Sequence, residues 1–285
     1  MNNIERLFGG DKAVPGMRSS ARLEPKYPID DEPEEADTFD GHAADEASQH
    51  EIPQHEVPEG DDGAEAPRFP LAVLEPLRPG RQLLSAYEPG HPHSERMRQL
   101  RTELLLRHNA QSGSMALAVV GAGAGVGRSL LAAELAIVFA QLGRSTLLLD
   151  ADMRNPSQHT LFNGELRDGL AQAILRGESP TLYGVEGLPT LAVMMAGVCP
   201  ANPIELLSDG RFESLMDELR NRFDFIIVDT PRFADYADGQ VVATIVGHVL
   251  TVHRARHTLY KEGRAMMRQL VSTRADILGG VLNQF

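Results

Sequence analysis

Short, continuous apolar runs recur through the last two-thirds of the chain, and stretches of helical period lie between them. MALAVV (115–120), STLLLD (145–150), TLAVMM (190–195), FDFIIVD (223–229), HVLTVH (248–253) and ILGGVLN (277–283) read as strands. The segments at 129–143, about 202–222, 237–246 and 257–272 read as helices, and the stretch up to Gly177 as helical or turn segments. Strands that are apolar throughout and alternate with helices predict an α/β fold, a mostly parallel sheet covered by helices on both faces. Ahead of them, Met97, Leu100, Leu104 and Leu105 form a helical apolar stripe running to about Asn109, with His93-Ser94-Glu95 as its N-cap. The Pro-rich stretch at 67–80 reads as an extended lead-in.

Charge sharpens the division. The net charge is −13, and residues 1–70 hold 18 acids against 6 bases. No Lys or Arg occurs between Lys26 and Arg68, and the acidic, Pro- and Gly-containing sequence there shows no apolar period. Such a segment buries too little apolar surface to offset its ordering entropy. The chain therefore divides into a disordered acidic tail (1–68), an extended lead-in (69–93) and a folded domain (94–285). Nothing in the tail resembles a nucleic-acid-binding segment, so no nucleic-acid partner is expected. The single cysteine, Cys199, excludes an intramolecular disulfide. No run approaches 18 apolar residues, and MNNIERLFGG is too short and polar for a signal peptide. These features predict a cytoplasmic protein that meets the membrane only through a partner.

Candidate chemistry gathers at the predicted carboxyl ends of the strands, where open α/β sheets bind ligands. GAGAGVGRS (121–129) joins the first strand to the first long helix, at the place of a phosphate-binding loop. Gly127 and Ser129 fit that pattern, Ala122 stands for its first glycine, and Arg128 stands for its lysine. Backbone N–H groups of such a loop and the positive end of the helix cradle phosphates. The predicted nucleotide-binding set is Gly123, Ala124, Gly125, Val126, Gly127, Arg128, Ser129 and Leu130, with the Ser129 hydroxyl on Mg²⁺. Arginine keeps the lysine's charge but is planar and larger, and Lys261 is the only lysine after residue 26. Asp150 and Asp152, in LLLDADMRNP (147–156), are placed to hold Mg²⁺ through water or to accept a hydroxyl proton. Alternatively Asp152 only caps the following turn. Asp229 ends IIVDTP (226–231) as a Walker B carboxylate. Glu95, Arg98 and Arg101 recur every three residues, as either a solvated helix face or a surface that matches a neighbouring subunit.

Together these residues resemble the bacterial tyrosine kinases of capsule and exopolysaccharide synthesis, whose cytoplasmic domain has a MinD-like P-loop fold. The resemblance spans about residues 82–285. It rests on the Glu95–Arg98–Arg101 helix, the P-loop, LLLDADMRNPSQH (147–159), NPIELLSD (202–209), FDFIIVDTP (223–231) and the terminal GGVLN. LLSAYEP and the GRS ending of the loop are most similar to the EpsG-type chain-length-determinant kinases, in which Arg also occurs. The resemblance implies ATP and Mg²⁺ as cofactors, with Arg128, Asp150 and Asp152 as catalytic residues. It implies Ser129, Asp150 and Asp229 around the metal, and Glu95, Arg98 and Arg101 in ring-like self-association. It also implies stimulation by a membrane chain-length determinant protein. Arg128, Leu130 in place of a second hydroxyl residue, and five unclustered tyrosines (27, 87, 183, 236 and 260) depart from the family pattern. Two readings stay open, an active tyrosine kinase and a pseudokinase whose nucleotide-dependent assembly regulates the polymerase. A MinD/ParA-type positioning ATPase fits less well, because Gly123 stands where those proteins carry an extra lysine.

Overall fold

The computed structural model describes residues 76–108, 113–177 and 179–284. The acidic tail and the first part of the lead-in lie outside the described residues, and the helix expected to run to about Asn109 ends at Arg107 with His108 as its C-cap. In chain order the elements are α1 (Leu84–Tyr87), α2 (Pro92–Arg107), β1 (Met115–Gly121), α3 (Arg128–Ala140), β2 (Thr146–Asp150), α4 (Gln158–Leu161), α5 (Leu170–Arg176), β3 (Tyr183–Val185) and β4 (Leu188–Met194). They continue with α6 (Pro203–Ser208), α7 (Arg211–Arg220), β5 (Phe225–Asp229), α8 (Asp238–Val246), β6 (His248–Arg254), α9 (Tyr260–Val271) and β7 (Asp276–Asn283).

The sheet has the order β3-β4-β2-β5-β1-β6-β7. Every pairing is parallel except β3 with β4. Because side chains alternate along a strand, the apolar runs feed two cores. Ala118, Val120, Leu147, Leu149, Ile226 and Val228 face one way, where α5 to α9 cover them. Leu117, Val119, Leu148 and Ile227 face the other way, beneath α3 and α2. Each large side chain fully buried in this way contributes roughly 1.5–3 kcal/mol.

α3 is buried on nearly every face, from Leu131 to Ala140, because the sheet lies on one side of it and α1 and α2 on the other. Its one buried acid, Glu134, accepts a hydrogen bond from the Ser85 backbone N–H (3.1 Å) and faces His93 (3.5 Å). Arg101 of α2 donates to the Val138 carbonyl (2.5 Å), which fastens the outer helix to the inner one.

Several boundaries differ from the sequence expectation. α2 starts at Pro92, a residue suited to a first helical position, and its N-cap is His91, whose Nδ1 accepts from His93 N–H (3.1 Å). Ser94, expected in the cap, donates instead to the Glu88 carbonyl (2.8 Å). Within the lead-in expected to be extended, Leu84–Tyr87 close one helical turn. The single helix expected at about 202–222 is two, since Gly210 turns left-handed (φ +77°) and starts α7 afresh. The short antiparallel β3 was not anticipated; it pairs with β4 across a tight turn at Gly187 (φ +76°).

Candidate functional site

Register places the acids. β5 lies between β2 and β1, and Asp150 is paired with Asp229 across β2 and β5, while Val119 of β1 faces Asp229 from the other side. Two residues beyond Val119, β1 ends at Gly121 and the glycine loop begins. The three sequence signals therefore meet at one end of three adjacent strands.

The loop is held by geometry that suits glycine. Gly125 (φ +64°) and Gly127 (φ +86°) adopt left-handed conformations, and Gly127 is the N-cap of α3. A Cβ on Gly121 would lie 2.7 Å from Val126 Cγ2, so the chain folds back tightly on itself there. The first intrahelical bond runs from Leu131 N–H to the Gly127 carbonyl (3.0 Å), so the N–H groups of the first turn lack intrahelical partners, as at any helix start. The loop carbonyls are tied back from the other side. Arg254 donates to Gly125 (3.1 Å) and Asn283 to Val126 (2.8 Å), while the His257 ring lies 3.2 Å from the Ala124 carbonyl. With its carbonyls held away, the loop presents N–H groups to a cavity of about 400 Å³. The whole run from Gly123 to Leu130 lines that cavity, together with Asp152, Asn155, Ser157, Thr160, Leu161 and Arg232. A larger cavity, about 570 Å³, lies between Pro76–Arg78, the 163–167 loop and Tyr183, and shares none of these residues.

Behind the loop is a buried polar cluster. Arg128, 8% exposed, donates from Nε to Asp229 (3.0 Å) and from Nη2 to Asp152 (2.8 Å). The second oxygen of Asp229 accepts from Gln158 Nε2 (2.9 Å), which also donates to the Ser129 carbonyl (3.1 Å). The second oxygen of Asp152 accepts from Asn155 N–H (3.0 Å), so Asp152 both caps the turn and holds the guanidinium. Asp150 accepts three backbone bonds, from Asp152 N–H on one oxygen and from Ser157 and Gln158 N–H on the other (each 3.1 Å). It thereby shapes the loop that carries Asp152 and Gln158.

Burial pushes the Asp150 carboxyl well above its ordinary value, and the neighbouring charge of Asp229 adds to that shift against the pull of its backbone bonds. Asp152 is raised to about 6, again by burial, with Arg128 acting the other way. Nucleotide phosphates fit the loop and helix start. The carboxylates expected around a metal are committed here to Arg128, Gln158 and backbone N–H groups, and among the described residues no group of three or more His, Cys, Asp or Glu could hold a metal ion.

The expected oligomerisation residues do not form one presented face. Arg98 pairs with Glu95 (2.6 Å) and donates to the Pro89 carbonyl (2.6 Å), while Arg101 turns inward onto α3. Burial and the nearby Arg98 lower the Arg101 pKa, and Glu95 opposes them. Sequence reasoning missed Gln158, Arg232, Arg254, His257 and Asn283. Gln158 stands inside the quoted DADMRNPSQH motif, but only the folded loop turns it toward Asp229. Nothing in the sequence brings His257 to the P-loop; the fold does.

Residues 115–274 match the family model described as cellulose biosynthesis protein BcsQ. Among curated proteins, the chain is 32% identical over 206 residues to the tyrosine-protein kinase YwqD of Bacillus subtilis, covering 71% of this chain and 86% of that one. The EpsB protein of Ralstonia solanacearum is 35% identical over 205 residues, 72% of this chain, but the chain spans only 27% of EpsB. Among solved structures, the kinase domain of the Escherichia coli tyrosine kinase ETK superposes with a TM-score of 0.67 at 29% identity, covering 71% of this chain and 79% of that one. No helix among the described residues is long and apolar enough to cross a membrane. A P-loop fold, the aspartates gathered beside the loop and these likenesses agree: the chain belongs to the bacterial tyrosine-protein kinase family of capsule and exopolysaccharide synthesis.

Proposed function

We propose that the protein binds ATP on the loop from Gly123 to Leu130 and acts as a tyrosine-kinase-like regulator of exopolysaccharide polymerisation and export. The observation that carries this reading is the glycine loop at the start of α3, with Asp150, Asp152 and Asp229 gathered directly behind it. In this proposal the loop N–H groups and the helix start bind the phosphates. Ser129, backed by Asp229 and Asp150, is the set that would hold Mg²⁺ once Arg128 has turned from the carboxylates to the phosphates. Bound there, the ion would neutralise phosphate charge. Asp152 lines the cavity and is the carboxylate placed to take the proton of an incoming tyrosine hydroxyl.

The partner we propose is a membrane chain-length determinant protein, which would bring this chain to the cytoplasmic face of the inner membrane. Self-association through the surface around Glu95 and Arg98 belongs to the same proposal. The second reading, a pseudokinase that assembles in response to nucleotide without transfer, is favoured by the commitment of Arg128 to Asp152 and Asp229. Incubation with γ-labelled ATP and the partner's tyrosine-bearing segment separates the two. The kinase reading expects label on tyrosine, lost in Asp152→Asn while nucleotide binding persists. Absence of label from any protein, with nucleotide bound, would leave the pseudokinase.

A further inference from the structure

This inference rests on the nucleotide-site reading above. We infer that the Arg128 guanidinium, which spans Asp152 and Asp229, and a divalent cation at Asp229 exclude one another, so that the protein takes up metal only when a nucleotide draws Arg128 away.

The geometry is that of a resident cation. Two different guanidinium nitrogens each reach a different carboxylate, Nε to Asp229 at 3.0 Å and Nη2 to Asp152 at 2.8 Å. The side chains are 8%, 0% and 1% exposed for Arg128, Asp229 and Asp152, so water contributes little to holding the charges apart. The remaining carboxylate oxygens are already engaged, Asp229 by Gln158 and Asp152 by the Asn155 backbone. The pair therefore has no spare oxygen for a metal while the guanidinium is in place. A planar, always-charged fork bridges two carboxylates in a way that the single ammonium of a lysine does not reproduce.

Release is built into the same residue. Arg128 also lines the cavity, immediately after the Gly127 cap, so phosphates bound at the helix start would compete for its guanidinium. Phosphates compete for the guanidinium with strong charge-assisted bonds, and its departure uncovers Asp229 beside Ser129. Metal and nucleotide binding are thereby coupled, each favouring the other by the same factor. Locking the carboxylates in this way keeps free divalent cations from occupying an empty site.

Mn²⁺ uptake, followed by loss of the free-ion electron paramagnetic resonance signal, tests both halves on the full chain. Arg128→Gln and Arg128→Lys are compared with wild type, with and without a non-hydrolysable ATP analogue. Without nucleotide, Arg128→Gln is expected to bind Mn²⁺ at least about tenfold more tightly than wild type, a clear step on the affinity scale. Arg128→Lys, which keeps the positive charge, is the second variant should the glutamine form not fold. With the analogue, and after subtraction of the Mn²⁺ that the analogue alone binds in a protein-free control, wild-type uptake is expected to rise to the level of the variants. Wild-type uptake without nucleotide equal to that of both variants, or none in either variant, would overturn the lock. Variants that take up metal alone, beside a wild type that the analogue leaves unchanged, would overturn the release step. Loss of analogue binding in all three proteins would instead remove the nucleotide-site reading, and the release step with it.

Discussion

Asp150 shows how little of a buried residue's role its chemistry alone reveals. Its position at the end of β2 suggests metal or proton chemistry, and the fold adds a structural role, since its carboxylate accepts from three backbone N–H groups of the 152–158 loop. Asp152 and Gln158 owe their positions to it, and Gln158 in turn ties the Ser129 carbonyl to Asp229. Gln158 is 0% exposed, so replacing it leaves a buried carboxylate oxygen of Asp229 without its donor and removes the tie to the Ser129 carbonyl. Gln158→Leu, close in volume, is expected to lower stability by about 1–3 kcal/mol in urea titrations, the usual cost of orphaned buried acceptors. A variant as stable as wild type would mean that the amide is not a structural tie. The identities of Arg128, Asp150, Asp152 and Asp229 were legible in the sequence because a phosphate loop and acidic strand ends form a recognisable order. The bonds that join Arg128 to Asp152 and Asp229 were not, because hydrogen bonds between residues 24 and 101 positions apart leave no periodic trace.

Among the elements, strand positions were the most legible, since an apolar run buried on both faces has few alternatives. Helix α3 was equally clear, but the break between α6 and α7 was not. Its signal is the Asp209-Gly210 pair inside an otherwise helical stretch, where Arg211 grips Asp209 across the turn (2.6–3.0 Å). Strand β3, only three residues long and at the sheet edge, is too short for a period to show. The junction before β5 illustrates how an element is pinned. Asp224 binds Arg144 (2.5 Å) and both the N–H and the hydroxyl of Ser145, while Arg144 lies over Phe225 at 5.4 Å. Partial burial would raise the Asp224 pKa, but Arg144 and Ser145 together outweigh it and hold the carboxyl below its ordinary value. A depressed carboxylate contributes stability that is present above its unfolded value of about 3.9 and is lost as pH falls through the lower folded value. Asp224→Asn is therefore expected to cost about 1 kcal/mol at neutral pH, after allowance for water at this half-buried site, and to flatten the loss of stability below about pH 4. Parallel acid-denaturation curves for the two proteins would contradict this.

At the scale of the whole molecule, the sheet order decides what the protein can do. Placing β5 between β1 and β2 brings the P-loop, both strand-end acids of β2 and β5, and the turn after β2 to one end of the sheet. The opposite edge strand, β7, sends Asn283 back to the loop, while the end of β6 sends Arg254 and the connection after it His257, so the far half of the sheet also supports the site. The parallel order itself was only implied in the sequence, because apolar runs say that strands are buried without saying which are neighbours. Of the outer layer, α2 was legible in the sequence, while α1 and the inward-turned Arg101 were not. All of this serves a single claim, that the loop from Gly123 to Leu130 is a working nucleotide site despite its arginine. Calorimetric titration of the purified chain with Mg-ATP and Mg-ADP tests it most directly. The account predicts saturable binding in the micromolar range, and no heat of binding up to millimolar nucleotide would contradict it.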